Sequence, residues 1–363
     1  MNKPRLGILK LGARITWSKR SMSAANFDIH SMIELLKEQF DITVITQKTN
    51  NTVIPKDIGF LDVNHFNITN HDSFDALVMF NGNVNAFGGV EPADQIAAFR
   101  IINSFPGRVF YINTDGNLLL KQVWPLVSSK GWNWTEKDIS VERKDIIYLT
   151  QARNIDKLDK EVRKQRHAVP IQRENLVHFP IEQAILAQAK DVCLNEHRTI
   201  DLMYGGSPRG GKRKKEIEKF YSHSDLNVEV FGALTPKVVN LNAKFSGRVP
   251  FDQVIKKMSG AKATCIIGDP FYKDNFHTLR IYESILAGCV TFIDKSFDPD
   301  YTIFKNERLR KFLYVSNGTE LRKKIKLLTE DMMAEIRQYQ INDIEFERNE
   351  YIAELCKCIT ERL

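Results

Sequence analysis

Ile200-Asp201-Leu202-Met203-Tyr204-Gly205-Gly206-Ser207-Pro208-Arg209-Gly210-Gly211-Lys212-Arg213 decides how this chain is read. Its first residues form an apolar run with strand character, glycines and a proline break that run, and 214–221 reads as a helix. A strand feeding a helix through glycines leaves backbone N–H groups pointing at whatever lies above the helix start. Glycine allows close backbone approach, and the guanidinium forks of Arg209 and Arg213 match phosphate oxygens, with Lys212 adding charge. A basic turn on a solvated surface accounts for any one of these residues but not for the cluster. The stretch predicts a phosphate cradle.

Gly206 to Lys212 nearly spells the nucleoside-triphosphatase loop, G-x-x-x-x-G-K followed by Ser or Thr. Arg213 occupies the last position, so the hydroxyl that would hold magnesium is missing. A cradle with arginines and no such ligand suits a diphosphate that is held, or that departs, as an anion.

A length of 363 residues exceeds one ordinary core and predicts two domains. A hydrophobic fraction of 43% with mixed charge describes a folded soluble protein. The net charge of +7 favours an anionic partner, nucleic acid first, although a basic surface that only aids solubility has the same charge. Cys193, Cys265, Cys289, Cys356 and Cys358 are odd in number and scattered, which argues against a disulfide framework and for a reducing compartment. No signal-type segment opens the sequence and no apolar run reaches spanning length, so the expected location is cytoplasmic. The eight histidines show no ligand spacing, and Asp298-Pro299-Asp300 reads as a turn rather than a metal-binding D-x-D; no metal site is expected.

Strands are expected at 6–11, 42–46, 75–80, 108–112 and 146–149, with helices around Ile29, Met32, Ile33, Leu35 and Leu36 and at 93–102. Residues 153–175 read as a connecting segment without a period. Further strands follow at 200–204, 228–231, 263–267 and 290–293, with helices at 214–221, 251–258 and 279–287, and 319 to the end reads as helical. Alternating strands and helices predict parallel sheets covered on both faces. Ligands of such sheets gather beyond the carboxyl ends of the strands, where Asn85, Gly88, Gly89 and Asp115 would fall.

Several gapped motifs stand in one order: Asn85-Ala86-Phe87-Gly88-Gly89, Trp124-Pro125, Phe179-Pro180-Ile181-Glu182-Gln183, then 204–213 and 266–283. Together they resemble the DNA β-glucosyltransferase family of T-even-type bacteriophages, from the first strand to about residue 295. The resemblance implies an α/β fold of the glycosyltransferase-B type, two Rossmann-like domains facing a central cleft. It implies an acceptor (DNA) domain at 1–178, a UDP-sugar domain at 179–335, and a C-terminal helix at 336–363 that packs back on the first.

Carried over by position, Gly206, Ser207, Arg209 and Arg213 match the family's diphosphate-binding residues, and Gly232 a glycine beside the nucleotide. Val249 and Phe251 match residues flanking the uracil, and Asp269, Arg280 and Glu283 match acidic, basic and ribose-binding positions at the donor. Asp115 lands on the general base, and Asn85 and Phe87 on residues near the flipped acceptor base. The spacing of Arg280 and Glu283 puts them on one helix face, where they could equally form a local ion pair. Asp115 before Gly116 could also be a turn residue, and Phe87 a packed aromatic. The family's glutamate in the helix after the first strand falls on Phe27; either Asp28 serves in its place, or the sugar or acceptor preference has changed.

The reaction so implied is an inverting transfer of a sugar, glucose foremost, from a UDP-sugar to 5-hydroxymethylcytosine in double-stranded DNA, by base flipping. A divalent cation is implied to assist, with no side-chain cage in the sequence. The expected protein is a monomer with no membrane partner. Rival readings are transfer of another sugar such as a pentose, a lipid or small-molecule acceptor, and a non-catalytic DNA-binding protein.

Overall fold

The computed structural model describes residues 3–9, 33–34, 36–46, 54–80, 92–113, 141–150, 152, 154–164, 172–178, 197–208, 210–250, 253–268 and 278–363. The chain divides into two compact units, Met1–Ile185 with Tyr351–Leu363, and Leu186–Glu350.

In the first unit the strands are β1 (Arg5–Leu9), β2 (Asp41–Thr46), β3 (Gly59–Asp62), β4 (Ala76–Phe80), β5 (Arg108–Asn113), β6 (Ile147–Thr150) and β7 (Leu176–His178). They form one seven-stranded sheet in the order β3-β2-β1-β4-β5-β6-β7. Every pairing is parallel; Ile8 stands between Val44 and Val78. Leu6, Ile8, Leu9, Val44, Leu77 and Val78 are all buried. Adjacent residues buried along one strand, as Ile8 and Leu9 or Leu77 and Val78 are, mark a sheet covered on both faces. Each such side chain contributes roughly 1.5–3 kcal/mol by leaving water. Helix α1 (Pro92–Ser104) opens on a proline, whose fixed φ suits a first helical position, and buries Ala98, Phe99, Ile101 and Ile102.

The second unit repeats the plan with β8 (Ile200–Gly206), β9 (Val228–Gly232), β10 (Lys244–Phe245), β11 (Ala261–Ile266), β12 (Val290–Asp294) and β13 (Tyr314–Val315). Their order is β10-β9-β8-β11-β12-β13, again all parallel. In both sheets the strand order reverses beside the unit's first strand, between β1 and β4 and between β8 and β11. Such a reversal opens a crevice beyond the carboxyl ends, where nucleotides bind.

Three expectations need correction. Residues 153–175 are not a plain connection: helix α2 (Ile155–Lys164) lies within them, and Asn154 caps it by accepting the Lys157 N–H at 2.9 Å. Ile155, Leu158 and Val162 do recur at helical spacing, but ten residues that are mostly charged hide the stripe. Strand β8 runs on through both glycines instead of stopping at Tyr204, because Gly205 pairs with Phe231 and Gly206 with Gly232. The next helix, α3 (Gly210–Tyr221), therefore starts before Lys214. The tail from 319 is helical as expected, divided into two helices. After α4 (Val254–Met258), α5 (Leu279–Leu286) and α6 (Glu307–Leu313) come α7 (Gly318–Lys326) and the long α8 (Glu330–Thr360). Asn317 caps α7 through the Glu320 N–H at 2.9 Å, and the Thr329 hydroxyl accepts the Met332 N–H at 3.2 Å at the start of α8.

Of the helix expected around Ile29 to Leu36, Ile33, Glu34 and Leu36 are helical, with Ile33 and Leu36 buried; Ile29, Met32 and Leu35 lie outside the described residues. The 298–300 stretch is a turn, as expected. Asp298 is buried and closes it by accepting the Thr302 hydroxyl at 2.8 Å, the Ile303 N–H at 2.9 Å and the Tyr314 hydroxyl at 2.5 Å.

Candidate active site

The carboxyl ends of β9, β8 and β11 lie side by side in the second sheet, and the residues there are unusual. Gly232 ends β9 with φ +108°, and a Cβ on it would fall 2.1 Å from the Gly206 carbonyl oxygen. That oxygen accepts the Ala233 N–H at 3.0 Å, while the Gly232 N–H donates to the Gly247 carbonyl at 2.7 Å. Only glycine allows two strand ends to close so tightly with one of them in left-handed backbone. At Gly205 the constraint is different: a Cβ would meet the Phe231 ring at 2.2 Å.

Successive side chains of a strand point to opposite faces. Met203 and Phe231 belong to the cluster with Val254, Met258 and Ala287, and so face α4 and α5. Tyr204 faces the other way, with its ring 5.0 Å from that of Tyr221 in α3. Helices α3 and α5 therefore cover opposite faces of the sheet, and each brings an arginine to the glycine-lined edge. From α3, Arg213 donates to the Tyr204 hydroxyl from Nε at 3.2 Å and from Nη2 at 3.1 Å. From α5, Arg280 stands with its guanidinium carbon 5.6 Å from the Phe231 ring centroid, within cation–π range. The first turn of α3 is Gly210 to Arg213, whose N–H groups no helical carbonyl can satisfy.

Arg280 Nη1 donates to Glu283 Oε2 at 2.8 Å, with the Glu283 side chain only 3% exposed. Burial pushes the Glu283 carboxyl above its ordinary value, and Arg280 works against that shift. This is more than an exposed helical pair, since removing Arg280 strands a buried carboxylate.

Gly206, Ser207, Arg213, Gly232, Arg280 and Glu283 thus stand at or beside this edge, and half-buried Val249 packs on the Phe231 cluster. Arg209, Phe251 and Asp269 lie outside the described residues. So do Asp28, Asn85, Phe87 and Asp115 of the first unit. The strands that precede them in sequence, β1, β4 and β5, are neighbours in the first sheet. Two contributors went unread in the sequence, Tyr204 and Phe231, because an aromatic in an apolar strand looks like core. Among the described residues no group of three or more His, Cys, Asp or Glu side chains could hold a metal ion.

A family described as bacteriophage T4 beta-glucosyltransferase matches residues 5–185. The DNA beta-glucosyltransferase of Enterobacteria phage T4 is 29% identical over 329 residues, covering 87% of each chain. The chain belongs to this family. A solved structure of the T4 phage enzyme in complex with UDP and Mn2+ superimposes with a TM-score of 0.78 at 24% identity, over 99% of both chains. An alpha-glucosyltransferase in complex with UDP-glucose and DNA containing an abasic site matches with a TM-score of 0.59 at 12% identity, over 99% of this chain and 100% of that one. The fold of this family member is accordingly the glycosyltransferase-B type, each unit contributing one Rossmann-like sheet.

Proposed function

We propose that this family member is an inverting glycosyltransferase that moves glucose from UDP-glucose to the hydroxymethyl group of 5-hydroxymethylcytosine in double-stranded DNA. The observation that carries the reading is the relationship, over 87% of both chains, to a DNA beta-glucosyltransferase. The cradle at the second sheet supplies the donor half: its arginines and free N–H groups suit a diphosphate, and the Glu283 carboxylate can accept ribose hydroxyls. The first unit is then the acceptor domain.

In the proposed reaction Asp115 takes the proton from the acceptor hydroxyl, which attacks the anomeric carbon from the face opposite UDP. Asp28 is the second acid assigned to this centre. Arg209, Arg213 and Arg280, with the N–H groups at the start of α3, stabilise the charge that develops on the departing diphosphate. Ser207 and Gly232 border the diphosphate and nucleotide, Val249 and Phe251 flank the uracil, and Asp269 contacts the donor. The target base lies inside a duplex, so it is flipped out at a cost of a few kcal/mol, with Asn85 and Phe87 holding the base or the gap it leaves. A divalent cation, when bound, neutralises diphosphate charge. The described residues supply no cage for one, and each step above is carried by the chain's own groups. The enzyme works as a monomer in the host-cell cytoplasm, and among the described residues no helix is long and apolar enough to cross a membrane.

The test is UDP release from UDP-glucose in the presence of matched duplexes carrying either cytosine or 5-hydroxymethylcytosine. Release with the hydroxymethylated duplex alone supports the proposal. Equal release with both, or release only from a different sugar nucleotide, contradicts it.

A further inference from the structure

Tyr204 is the last large side chain of β8 before the glycines and is only 4% exposed. Its hydroxyl oxygen accepts two hydrogen bonds from a single guanidinium, Arg213 Nε at 3.2 Å and Nη2 at 3.1 Å. The guanidinium carbon lies 5.9 Å from the Tyr204 ring centroid. The hydroxyl also borders the cradle, since a Cβ on Gly206 would come within 3.0 Å of it.

The tyrosine is itself held in place. Its ring meets that of Tyr221 nearly edge-on, at 68°. The Tyr221 hydroxyl donates to the Cys265 carbonyl at 2.5 Å and accepts the Cys265 N–H at 3.0 Å. Arg213 is thus tied through two aromatic rings to β11, the strand on the far side of the reversal point.

An arginine offers its donors in a flat fork. Tyr204 occupies one edge of that fork, which fixes the plane and leaves the opposite edge pointing in one direction. An unrestrained arginine would have to lose its rotamer freedom when the anion arrives, and a fixed one has already lost it. We propose that Tyr204 is a positioning residue for the nucleotide-sugar diphosphate: its hydroxyl sets Arg213 before the donor binds. This rests on the donor-site reading given above.

The test is a double-mutant cycle on UDP binding by calorimetry, with donor and acceptor KM measured alongside. Tyr204→Phe removes one oxygen and keeps the ring. It is expected to weaken UDP about tenfold, the range for a hydrogen bond to a charged group. It should raise the donor KM in step and leave the KM for hydroxymethylated DNA unchanged. In an Arg213→Ala background the same change should have no further effect. Arg213→Lys, which keeps the charge but loses the fork, should also make Tyr204→Phe silent. A merely structural role would lower the melting temperature and raise both KM values together, which overturns the inference. So does wild-type UDP affinity in Tyr204→Phe, or an undiminished effect in the Arg213→Ala background. If Arg213→Ala weakens UDP and Tyr204→Phe does not, this inference alone falls. If Arg213→Ala binds UDP as tightly as wild type, the donor site falls and takes the inference with it.

Discussion

Gly232 lies back to back with Gly206: a Cβ on Gly232 would sit 2.1 Å from the Gly206 carbonyl oxygen, and its φ of +108° is closed to ordinary side chains. Neither constraint can relax without separating the ends of β8 and β9, the floor of the cradle. Gly232→Ala is therefore expected to cost at least roughly 1–3 kcal/mol of stability from backbone strain alone. It should also remove the stabilisation by UDP, which for wild type at a hundredfold excess over the dissociation constant is about 2.7 kcal/mol. Thermal unfolding with and without UDP reads both effects. A Gly232→Ala protein with the wild-type melting temperature and UDP shift contradicts the geometry.

The Arg280–Glu283 pair, whose carboxylate is buried, carries a pH prediction. Burial holds the Glu283 carboxyl above its ordinary value, opposed by Arg280, so the folded chain binds this proton more tightly than the unfolded one. Its contribution to stability is full below the unfolded value and is lost as pH rises through the folded one. In the proposed donor site the ionised carboxylate is the stronger acceptor for ribose hydroxyls, so UDP binding should weaken as pH falls through the raised Glu283 value. The acid limb should vanish in Glu283→Gln. A limb that persists in the variant assigns it to another group.

Away from the site, the start of α7 abuts α3: a Cβ on Gly318 would come 2.2 Å from the Lys219 carbonyl oxygen. Gly318→Ala forces the two helices apart and is expected to destabilise by about 1–3 kcal/mol, as overpacking usually does. UDP affinity should not change, because the contact is at the far end of α3 from the cradle. Calorimetric unfolding and UDP titration of the same variant check both halves.

The parts legible in the sequence were those whose cause is local. A buried strand such as β4 announces itself as an unbroken apolar run, and the cradle showed in its glycines and basic residues. The edge strands β10 and β13 have two residues each, too few for any period, and exist because a neighbour offers them a pairing edge. The true end of β8 was hidden for the same reason, since Gly205 and Gly206 are held in the strand by Phe231 and Gly232 and not by their own propensity. Phe231 and Tyr204 could not be told from core. Their roles depend on which arginine, thirty or more residues away or one helix along, ends up beside each ring.

The assignment of the base has its own test. Asp115→Asn keeps the shape and removes the basic oxygen, so UDP and DNA should still bind while turnover falls roughly 10²–10⁴-fold, the usual worth of a positioned base. Asp28→Asn is the companion variant, and steady-state rates on hydroxymethylated duplex compare the two. Loss of transfer in Asp28→Asn with near-normal rates in Asp115→Asn reverses the assignment.

Glucose from the donor should end on a modified base of duplex DNA. Duplex containing 5-hydroxymethylcytosine is incubated with the protein and a panel of UDP-sugars, digested to nucleosides and analysed by mass spectrometry. The expected product is a hydroxymethylcytosine nucleoside heavier by one hexose, formed from UDP-glucose and absent when the duplex carries plain cytosine. Unchanged nucleosides throughout the panel, or a sugar found only on a lipid or free-sugar acceptor added to the same mixture, would contradict it.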